Sequence, residues 1–512
     1  METLPSLQHK TGFSGLRNWL SQPTDGATLG TFRSLFGIVL FLETALLLFD
    51  IDAHFPSWEF RPTYGDFLAW HREARLPYFL TLSIQLLAAA GLAMGFCVRW
   101  SAGLFCLAFC YDFLLDPSHF NNHYYLIGLL AFWLGVVDSG KFARLEFRGT
   151  GSPWVPRWHL EIVRFHVTIA YLFGGINKVN SDWLSGEPMR QWAAVEANRP
   201  VIGPWMALPE TGLFFAYAGL VFDLTIPFLL LWRRTRVLAI VATLAFHLTN
   251  TWLFDIGAFP YLMIAANVLY LEPETPRRWW KRLLALFAAP EKTSLPGPIK
   301  DVAWLPMNRW LVSLLAIYIG LQFTLPFRHL AYDGWVEWTE EGKNFSWRMM
   351  LTHKDCWLRI RVVDPETNTV WRVDHEQHLS GRQNRGKGVR GNPRLLAQYA
   401  RFLKEQAIEE FSMKNPRVYA ECLASINGRP YQFLVDPQTD LATAELSWWQ
   451  TPKWIVPLKE AQSIGDYAVT PDEKVARIRQ VLIDYRAAGH EFPGWHGRSV
   501  VAESQAIRKK ES

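Results

Sequence analysis

The stretch HLEIVRFHVTIAYLFGGINKVNSDWLSG, residues 159–186, decides the fold of the N-terminal part of the chain. It is apolar over residues 167–176, then meets Lys178 and a polar group of residues that ends at Trp183. The residues that recur at spacings of three and four, and so share one face of a helix, are Tyr171, Gly174, Gly175 and Lys178. The stretch therefore predicts an apolar helix that carries a lysine at its end.

A lysine in this place has two interpretations. Its stem can lie along lipid while the ammonium snorkels to the headgroups, which is the commoner fate of a terminal membrane lysine. Alternatively, Lys178 is a partly desolvated amine that can act as a base at neutral pH. The lysine alone leaves both interpretations open.

The composition indicates a membrane part joined to a water-exposed part. The 512 residues are 50% hydrophobic and 15% aromatic, and only 19% are charged, below the usual quarter. The mean hydropathy of +0.02 is nevertheless too low for a chain that lies in lipid throughout. The net charge of +5 is modest. Because no basic patch is interleaved with aromatic residues, we expect no nucleic-acid partner.

Nine apolar segments are candidate membrane spans. They lie near residues 31–49, 76–96, 101–115, 124–138, 160–178, 211–232, 236–253, 257–272 and 310–326. If the N-terminus is cytoplasmic, every basic cluster between these segments falls on the cytoplasmic side, as the positive-inside rule expects. The sequence therefore predicts a multi-pass membrane protein with its C-terminal part on the non-cytoplasmic side.

The opposite membrane face collects segments rich in His, Asn, Asp and aromatic residues. They are residues 50–67, 116–125, 177–189 and 250–261. Polar residues also interrupt apolar runs at Asp223, His247 and Asn250. Such groups indicate a site, although Asp223 fits a structural hydrogen bond between helices as well as it fits catalysis. The lone histidines, which we expect to be structural, are His54, His119 and His166.

From about residue 328 the pattern changes to short β-branched and aromatic segments between turn residues. The predicted strands are NFSWRMMLTH (344–353), CWLRIRVVD (356–364), TVWRVD (369–374), RVYAECLASI (417–426) and YQFLVD (431–436). An amphipathic helix is expected over residues 393–411 and another over 471–488. The predicted fold is thus a membrane all-α bundle of about nine helices (1–327), an extramembrane α+β domain with antiparallel strands (328–465), and a C-terminal helix with a polar tail (466–512).

The chemistry that these residues suggest is limited to one membrane face. The sequence contains no HExxH motif, no paired Cys/His spacing and no nucleotide-binding loop, so we expect no metal. A base beside aromatic walls at the lipid boundary suits a lipophilic aromatic co-substrate, such as a quinone that enters from the bilayer.

Seven stretches then carry a family resemblance. In the membrane part they are NNHYYLIGLLAFWL (121–134), AYLFGGINKVNSDWLSGEPM (170–189) and FHLTNTWLFDIGAFPYLMI (246–264). In the C-terminal part they are LPFRHLAYDGW (325–335), FSWRMM (345–350), ASINGRP (424–430) and LVDPQTDL (434–441). In order and without large gaps from about Thr31 to about Leu458, the chain resembles the vitamin K-dependent γ-glutamyl carboxylase family and its bacterial relatives with the HTTM membrane domain.

The resemblance implies a lyase that couples oxidation of vitamin K hydroquinone by O₂, which gives the epoxide, to carboxylation of glutamyl residues with CO₂. Lys178 matches the family's catalytic lysine, which is proposed to deprotonate the hydroquinone, and His123 matches its active-site histidine. The residues implied to bind the quinol or the substrate are Asn122, Tyr171, His247, Asn250, Trp347 and Met349. The implied partners are the lipid bilayer, a lipophilic quinone and a secreted glutamate-containing protein or peptide, and the implied location is a bacterial inner membrane rather than the endoplasmic reticulum.

Two departures from the family pattern keep alternatives open. The family's lysine pair reads Asn177-Lys178 here, and Glu341-Gly342-Lys343 stands where the family has a Leu-Tyr pair associated with glutamate binding. A quinol epoxidase that does not carboxylate glutamate is therefore the second hypothesis. A non-catalytic membrane module that binds lipid or escorts a secreted partner is the third, and the retained Lys178 and His123 speak against it.

Overall fold

A computed structural model of the protein describes residues 13–49, 51, 60–64, 78–145, 152–254, 256–287, 307–386, 388–459 and 470–500. Within these residues, a helical N-terminal part is followed by a domain built on a mostly antiparallel sheet. This order confirms the predicted fold class except for the number of membrane spans. His54 lies outside the described residues.

The N-terminal part consists mainly of apolar helices. In chain order they are α1 (Phe13–Ser21), α2 (Ala27–Phe49), α3 (Tyr78–Met94), α4 (Val98–Leu115), α5 (Asn122–Val136), α6 (Arg157–Asn177), α7 (Pro209–Leu231), α8 (Arg236–Leu253), α9 (Phe259–Ala266), α10 (Thr275–Phe287) and α11 (Arg309–Thr324). Shorter helices at Ser181–Leu184, Met189–Val195 and Gly203–Met206 connect α6 to α7. Two short strands, β1 (Pro23–Asp25) and β2 (Trp154–Pro156), pair antiparallel before α2 and α6.

The number of membrane spans differs from the prediction. Among the described residues, five helical stretches are long and apolar enough to cross a membrane: α2, α4, α7, α8 and Arg309–Ala331, which extends α11. The helices α3 and α9 are apolar but shorter, and α5 has only 15 residues against the roughly 20 that a span needs. Helices form at all nine predicted segments, but the count of nine spans is not confirmed.

The surface of the helical part suits a lipid environment. Leu46 on α2, Leu107 on α4 and Val237 on α8 are 65%, 72% and 75% exposed. Apolar side chains exposed in such number mark a surface that contacts lipid or protein rather than water. Inward-facing residues of the same helices, such as Phe36 and Phe105, are buried in one hydrophobic core.

The C-terminal domain is organised around a five-stranded sheet with the order β6-β5-β3-β4-β7. Its strands are β3 (Lys354–Asp364), β4 (Thr369–Val373), β5 (Arg417–Ile426), β6 (Gln432–Phe433) and β7 (Arg498–Val500). All pairs are antiparallel except β4 with β7, which is parallel. The two long central strands face each other in a register that places Ile360 opposite Ala420.

Two helices pack against this sheet. Helix α12 (Pro393–Phe411) begins at Asn392, whose side chain accepts hydrogen bonds from two backbone N–H groups of the first turn, an N-cap that sequence rules anticipate. Its buried face contributes Leu403 and neighbours one turn apart to the core of the domain. Helix α13 (Pro471–Ala487) is held near β6, where the ring of Tyr485 lies 4.9 Å from that of Phe433.

The prediction of a strand over NFSWRMMLTH, residues 344–353, is wrong. Phe345, Trp347 and Met350 have φ angles of 63°, 57° and 52°. Left-handed backbone at three of these ten positions is incompatible with an extended pleat. The segment, named the FSW loop from here on, instead turns Trp347 inward until its side chain is almost fully buried in the core of the helical part.

Hydrogen bonds fasten the C-terminal domain to the ends of the helices. Gln383 donates through Nε2 to Asp116 Oδ2 over 3.0 Å. Arg429 holds both carboxylate oxygens of Asp182, at 2.6 and 2.7 Å. These contacts place the domain over two of the segments that the sequence assigned to a common membrane face, 116–125 and 177–189.

Candidate active site

Lys178 lies at the end of α6, in the seam between the helical part and the C-terminal domain. It is 6% exposed, and its Nζ folds back to donate to Gly174 O at 3.2 Å and to Asp223 Oδ2 at 2.5 Å. The ring of Trp183 lies 5.1 Å from the same nitrogen. A snorkelling lysine would extend toward the headgroups and solvent, so the geometry favours the interpretation of Lys178 as a buried amine.

Two glycines let α7 approach α6 closely enough for this pairing. A Cβ atom on Gly175 would lie only 2.7 Å from Leu224 Cδ2, and one on Gly174 would lie 3.3 Å from Asp223 Oδ2. Tyr171, one turn earlier, meets the ring of Phe222 on α7 at 5.9 Å. The helical face that the sequence predicted is therefore the face on which α6 packs against α7.

Asp223 is the partner of Lys178 across this helix contact. It interrupts an apolar stretch of α7 and is 7% exposed. Of the two interpretations that the sequence left open for Asp223, the hydrogen bond between helices is present, and it ends on the amine of Lys178. A buried ion pair contributes little to stability on its own, because desolvation offsets the attraction. The presence of this charged pair in an apolar contact between helices is therefore not explained by stability.

Tyr171 and His247 form the next pair of the site. The Tyr171 hydroxyl and His247 Nε2 are 2.7 Å apart, and both residues are buried. His247 Nδ1 has no hydrogen-bond partner among the described residues. A buried polar atom that makes no hydrogen bond lowers the stability of the protein by about 1–3 kcal/mol. A ligand that forms a hydrogen bond with this nitrogen would remove that cost.

His123 reaches the same region from α5. Its half-buried ring lies 5.5 Å from the ring of Phe259, which in turn lies 6.1 Å from the ring of His247. Phe259 therefore separates the two histidines as an aromatic spacer. The sequence did not single out Phe259, because one aromatic residue in an apolar run looks like an ordinary packing residue.

The FSW loop closes the site from the C-terminal domain. Asn122 donates through Nδ2 to the backbone oxygen of Arg348 at 3.0 Å, while its Oδ1 has no partner among the described residues. Asn177 donates to Ser346 O at 3.0 Å and accepts from Arg348 Nη1 at 3.0 Å. The residue that stands in place of the family's first lysine is thus used to hold this loop.

The predicted ligand-binding residues of the loop face the helices. The indole of Trp347 packs against the ring of Tyr125, with centroids 4.9 Å apart. The Cε atom of Met349 lies 3.4 Å from the place where a Cβ on Gly174 would stand, one turn before Lys178. Both side chains therefore help to form the boundary of the site.

A network of buried charges fixes the loop from behind. Glu337 pairs with Arg348 at 2.5 Å and with Lys343 at 2.9 Å. Glu340 pairs with Lys343 at 2.9 Å and with Lys354 at 2.8 Å. Burial alone would raise the pKa of Glu337, but Lys343 and Arg348 hold this pKa down at about 2. Burial opposes the charge of Lys343 too, yet the two carboxylates raise its pKa above the ordinary value.

The structure does not link every predicted site residue to this cluster. Asn250 is half-buried one turn beyond His247, and its side chain makes no hydrogen bond to another described residue. His166, expected to be structural, is hydrogen-bonded at both ring nitrogens, to Ile162 O at 2.7 Å and Tyr318 OH at 2.6 Å.

In the described part of the chain, no group of three or more His, Cys, Asp or Glu residues could hold a metal ion.

Two family models match the chain. The model described as the HTTM domain matches residues 21–275, which include Lys178, Asp223 and His247. The model described as the vitamin K-dependent gamma-carboxylase, lumenal domain, matches residues 307–461, which include the FSW loop and most of the sheet. No solved structure matches the chain.

Proposed function

The chain belongs to the vitamin K-dependent gamma-glutamyl carboxylase family, and we propose that it couples oxidation of vitamin K hydroquinone by O₂ to carboxylation of glutamyl residues with CO₂. The observation that carries this proposal is the buried pair of Lys178 and Asp223, which lies where the two family domains meet. Lys178 is the proposed base, His123 and Asn122 position the substrates, and Tyr171 and His247 bind the quinol.

The residues around the pair fit a flat aromatic ring that carries two hydroxyl groups. His247 Nδ1 and Asn122 Oδ1 are buried polar atoms without a partner among the described residues, and each suits a hydrogen bond to such a hydroxyl. Phe259 and Met349 supply apolar surface beside them. When bound, the quinol supplies the reducing electrons, and its oxidation by O₂ drives the carboxylation.

The chain's own task is to accept one proton. Lys178 Nζ donates a hydrogen bond to Asp223 Oδ2 over 2.5 Å, so the proton between them can be transferred to the carboxylate. When that proton is on Asp223, the amine of Lys178 is neutral and can take a second proton from a hydroxyl group at the site. The pair then carries one positive charge, which balances the negative charge left on the deprotonated hydroxyl.

The surroundings of the pair favour this proton transfer. Trp183, whose Nε1 donates to Ala216 O at 2.7 Å, shields the amine on one side. The FSW loop covers the end of α6 and keeps bulk water away. Electrostatic interactions are stronger in such a site than in water.

One observation favours the second candidate, a quinol epoxidase that does not carboxylate glutamate. In the segment where the family carries its Leu-Tyr pair, Glu341 binds Arg394 at 3.0 Å, and Lys343 binds Glu337 and Glu340. These side chains serve to fasten the C-terminal domain. A different surface would therefore have to receive the glutamyl group if this chain carboxylates.

A product assay separates the two candidates. Purified full-length protein receives reduced vitamin K, O₂, ¹⁴C-labelled bicarbonate and a glutamate-rich peptide. The proposal expects epoxide together with acid-stable label in the peptide. Epoxide without label selects the second candidate, and the absence of both products contradicts the proposal.

We also propose that the N-terminus is cytoplasmic and that the C-terminal domain lies outside the cytoplasm, in a bacterial inner membrane. The support is the charge bias, including Arg233, Arg234 and Arg236 in one turn between helices. Single cysteines at Thr451 and Arg234, in a background without the native cysteines, test it in intact cells. An impermeant thiol reagent should label the first and spare the second, and the reverse pattern would contradict this orientation.

A further inference from the structure

A pocket lies in the helical part, lined in part by Tyr124, the neighbour of His123. It lies between α2, α3, α4 and α5, and its empty space of about 650 Å³ includes open solvent. Its walls are mostly apolar and include Leu40, Leu82 and Ile127. The site around Lys178 does not use this pocket.

One wall of the pocket is an aromatic slot. On α4 the rings of Phe105 and Phe109 stack at 5.5 Å and 15°, and those of Phe109 and Phe113 at 6.4 Å and 11°. Tyr124 on α5 stands edge-on to Phe109 at 5.7 Å. Aromatic rings that line a pocket favour the binding of another flat ring against them.

A buried carboxylate also lines this pocket. Asp112 is 8% exposed, and its Oδ2 accepts a hydrogen bond from Gln85 Nε2 at 2.6 Å. Its Oδ1 is buried and has no hydrogen-bond partner among the described residues. A carboxylate oxygen only accepts, so it requires a donor from whatever occupies the pocket.

We propose that this pocket binds a second lipophilic ring that bears a hydroxyl group, a quinol or phenol, with the hydroxyl donating to Asp112. The ring would lie against Phe105 and Phe109, and Arg382 at the mouth would face an oxygen at its other end. The choice of a quinol over other phenols rests on the proposed function.

The position of the pocket gives this ring a role in exchange. Tyr124 lines the pocket, and its ring lies 4.6 Å from that of His123, which leads through Phe259 to His247. A ring bound against Tyr124 is therefore linked to the Lys178 site through the successive side chains of His123, Phe259 and His247. The pocket would then serve as a waiting position for a ring that is exchanged with the site of oxidation.

Photolabelling tests the pocket directly. Full-length protein in nanodiscs is irradiated with an azido-naphthohydroquinone, and the labelled residues are located by mass spectrometry. We expect label on residues of α4 and α5 that line the pocket, and Thr44→Phe, which fills it from α2, should lower that label at least tenfold. Leu46→Phe adds the same ring to the lipid-facing side of α2 and should leave the label unchanged.

The outcomes separate this proposal from the proposed function. Label in the pocket that persists in Lys178→Ala supports the second site. This holds whether the activity of that variant supports or contradicts the role of Lys178 as the base. Label confined to lipid-facing residues, or label that Thr44→Phe and Leu46→Phe lower equally, overturns it. Displacement by excess phospholipid but not by unlabelled quinol would show a site for lipid only and would also overturn it.

A second variant keeps the proposal testable if Thr44→Phe does not fold. Asp112→Asn is isosteric and replaces an oxygen that can only accept by an amide that can also donate. The wild type should bind a naphthohydroquinone about tenfold more tightly than its dimethyl ether, which cannot donate, and Asp112→Asn should abolish this preference. An unchanged preference in the variant would contradict the hydrogen bond to Asp112.

Discussion

Two buried lysines of this protein have opposite surroundings. Lys343, in the C-terminal domain, lies between the carboxylates of Glu337 and Glu340, and this network continues to Lys354 and Arg348. Lys178, at the end of α6, has the single carboxylate of Asp223, a backbone oxygen and an indole ring as neighbours. One lysine is surrounded by compensating charge, and the other belongs to an isolated pair in an apolar contact between helices.

The difference explains why the two lysines can have different tasks. Two carboxylates raise the pKa of Lys343, so its ammonium is permanent and serves as a structural link. Lys178 and Asp223 can instead exist as an ion pair or as a neutral pair, because in an apolar site the ion pair gains little over the neutral pair. Burial is common to both lysines, and the two differ in the number of carboxylates within reach among the described residues.

The largest expected effect comes from removing each lysine. Lys178→Ala should lower quinol epoxidation by about 10²–10⁴-fold, the usual contribution of a general base, while the protein stays folded. Lys343→Ala should instead destabilise the C-terminal domain, because it leaves Glu337 and Glu340 undercompensated. Epoxide formation and thermal unfolding are measured on both variants. Lys178→Ala should lose activity but keep its stability, and Lys343→Ala should lose stability. The same change in both variants would remove the distinction between the two lysines.

The charge network should lose stability in acid. The folded-state pKa of Glu337 is about 2 against an ordinary value of 4.5, so its contribution is fully present above pH 4.5 and is lost as the pH falls toward 2. A shift of this size corresponds to about 3 kcal/mol. In Glu337→Gln, the free energy of unfolding should therefore depend less on pH between about pH 2 and 4.5 than it does in the wild type. A variant as acid-sensitive as the wild type would show that other groups dominate.

Asp223→Asn should have a smaller effect on rate than Lys178→Ala. The amide cannot take the shared proton, so we expect a loss of roughly 10- to 100-fold in turnover, within the range for a group that assists proton transfer. The Michaelis constant for the quinol should change little, since Asp223 does not contact the bound ring in this account. Asp223→Glu should restore part of the rate. Equal loss in both variants, together with lower thermal stability, would assign Asp223 a structural role only.

The smallest effect is expected at the seam. Asp182→Asn keeps the shape but removes the charge that holds Arg429, and the lost pair should cost about 1–2 kcal/mol because its charges are largely desolvated. Hydrogen exchange should then rise in the loop after β5, residues 427–430, with little change in the sheet core. Unchanged exchange in this loop would show that the pair does not fasten the domain. Asp440→Asn, within the C-terminal domain, is a control that should not loosen the seam.

Much of the fold could be predicted from the sequence, because local patterns determine it. The apolar segments form helices, the amphipathic pattern of 393–411 gives α12, and RVYAECLASI coincides with β5. The FSW loop could not be predicted, since its aromatic and β-branched composition favours a strand while three left-handed residues bend it into turns. Its conformation depends on burial of Trp347 against the helices, which is a tertiary effect.

The site could be predicted in part. Lys178 was selected as a candidate base from its position at the end of an apolar helix and from the family resemblance, and Tyr171 was placed on the same helical face. The partnership with Asp223 spans 45 residues, and no local pattern reports it. Arg348 and Phe259 were missed for the same reason, because their roles come from neighbours distant in the chain.

The most direct test of the central claim is the rate of quinol epoxidation by Lys178→Arg, measured with purified protein and reduced vitamin K. Guanidinium preserves the positive charge beside Asp223 but stays protonated, so it cannot accept a proton from the quinol. The account predicts a rate as low as that of Lys178→Ala, in a protein that remains folded. Full epoxidation by Lys178→Arg would show that the charge alone is needed and would contradict the assignment of Lys178 as the base.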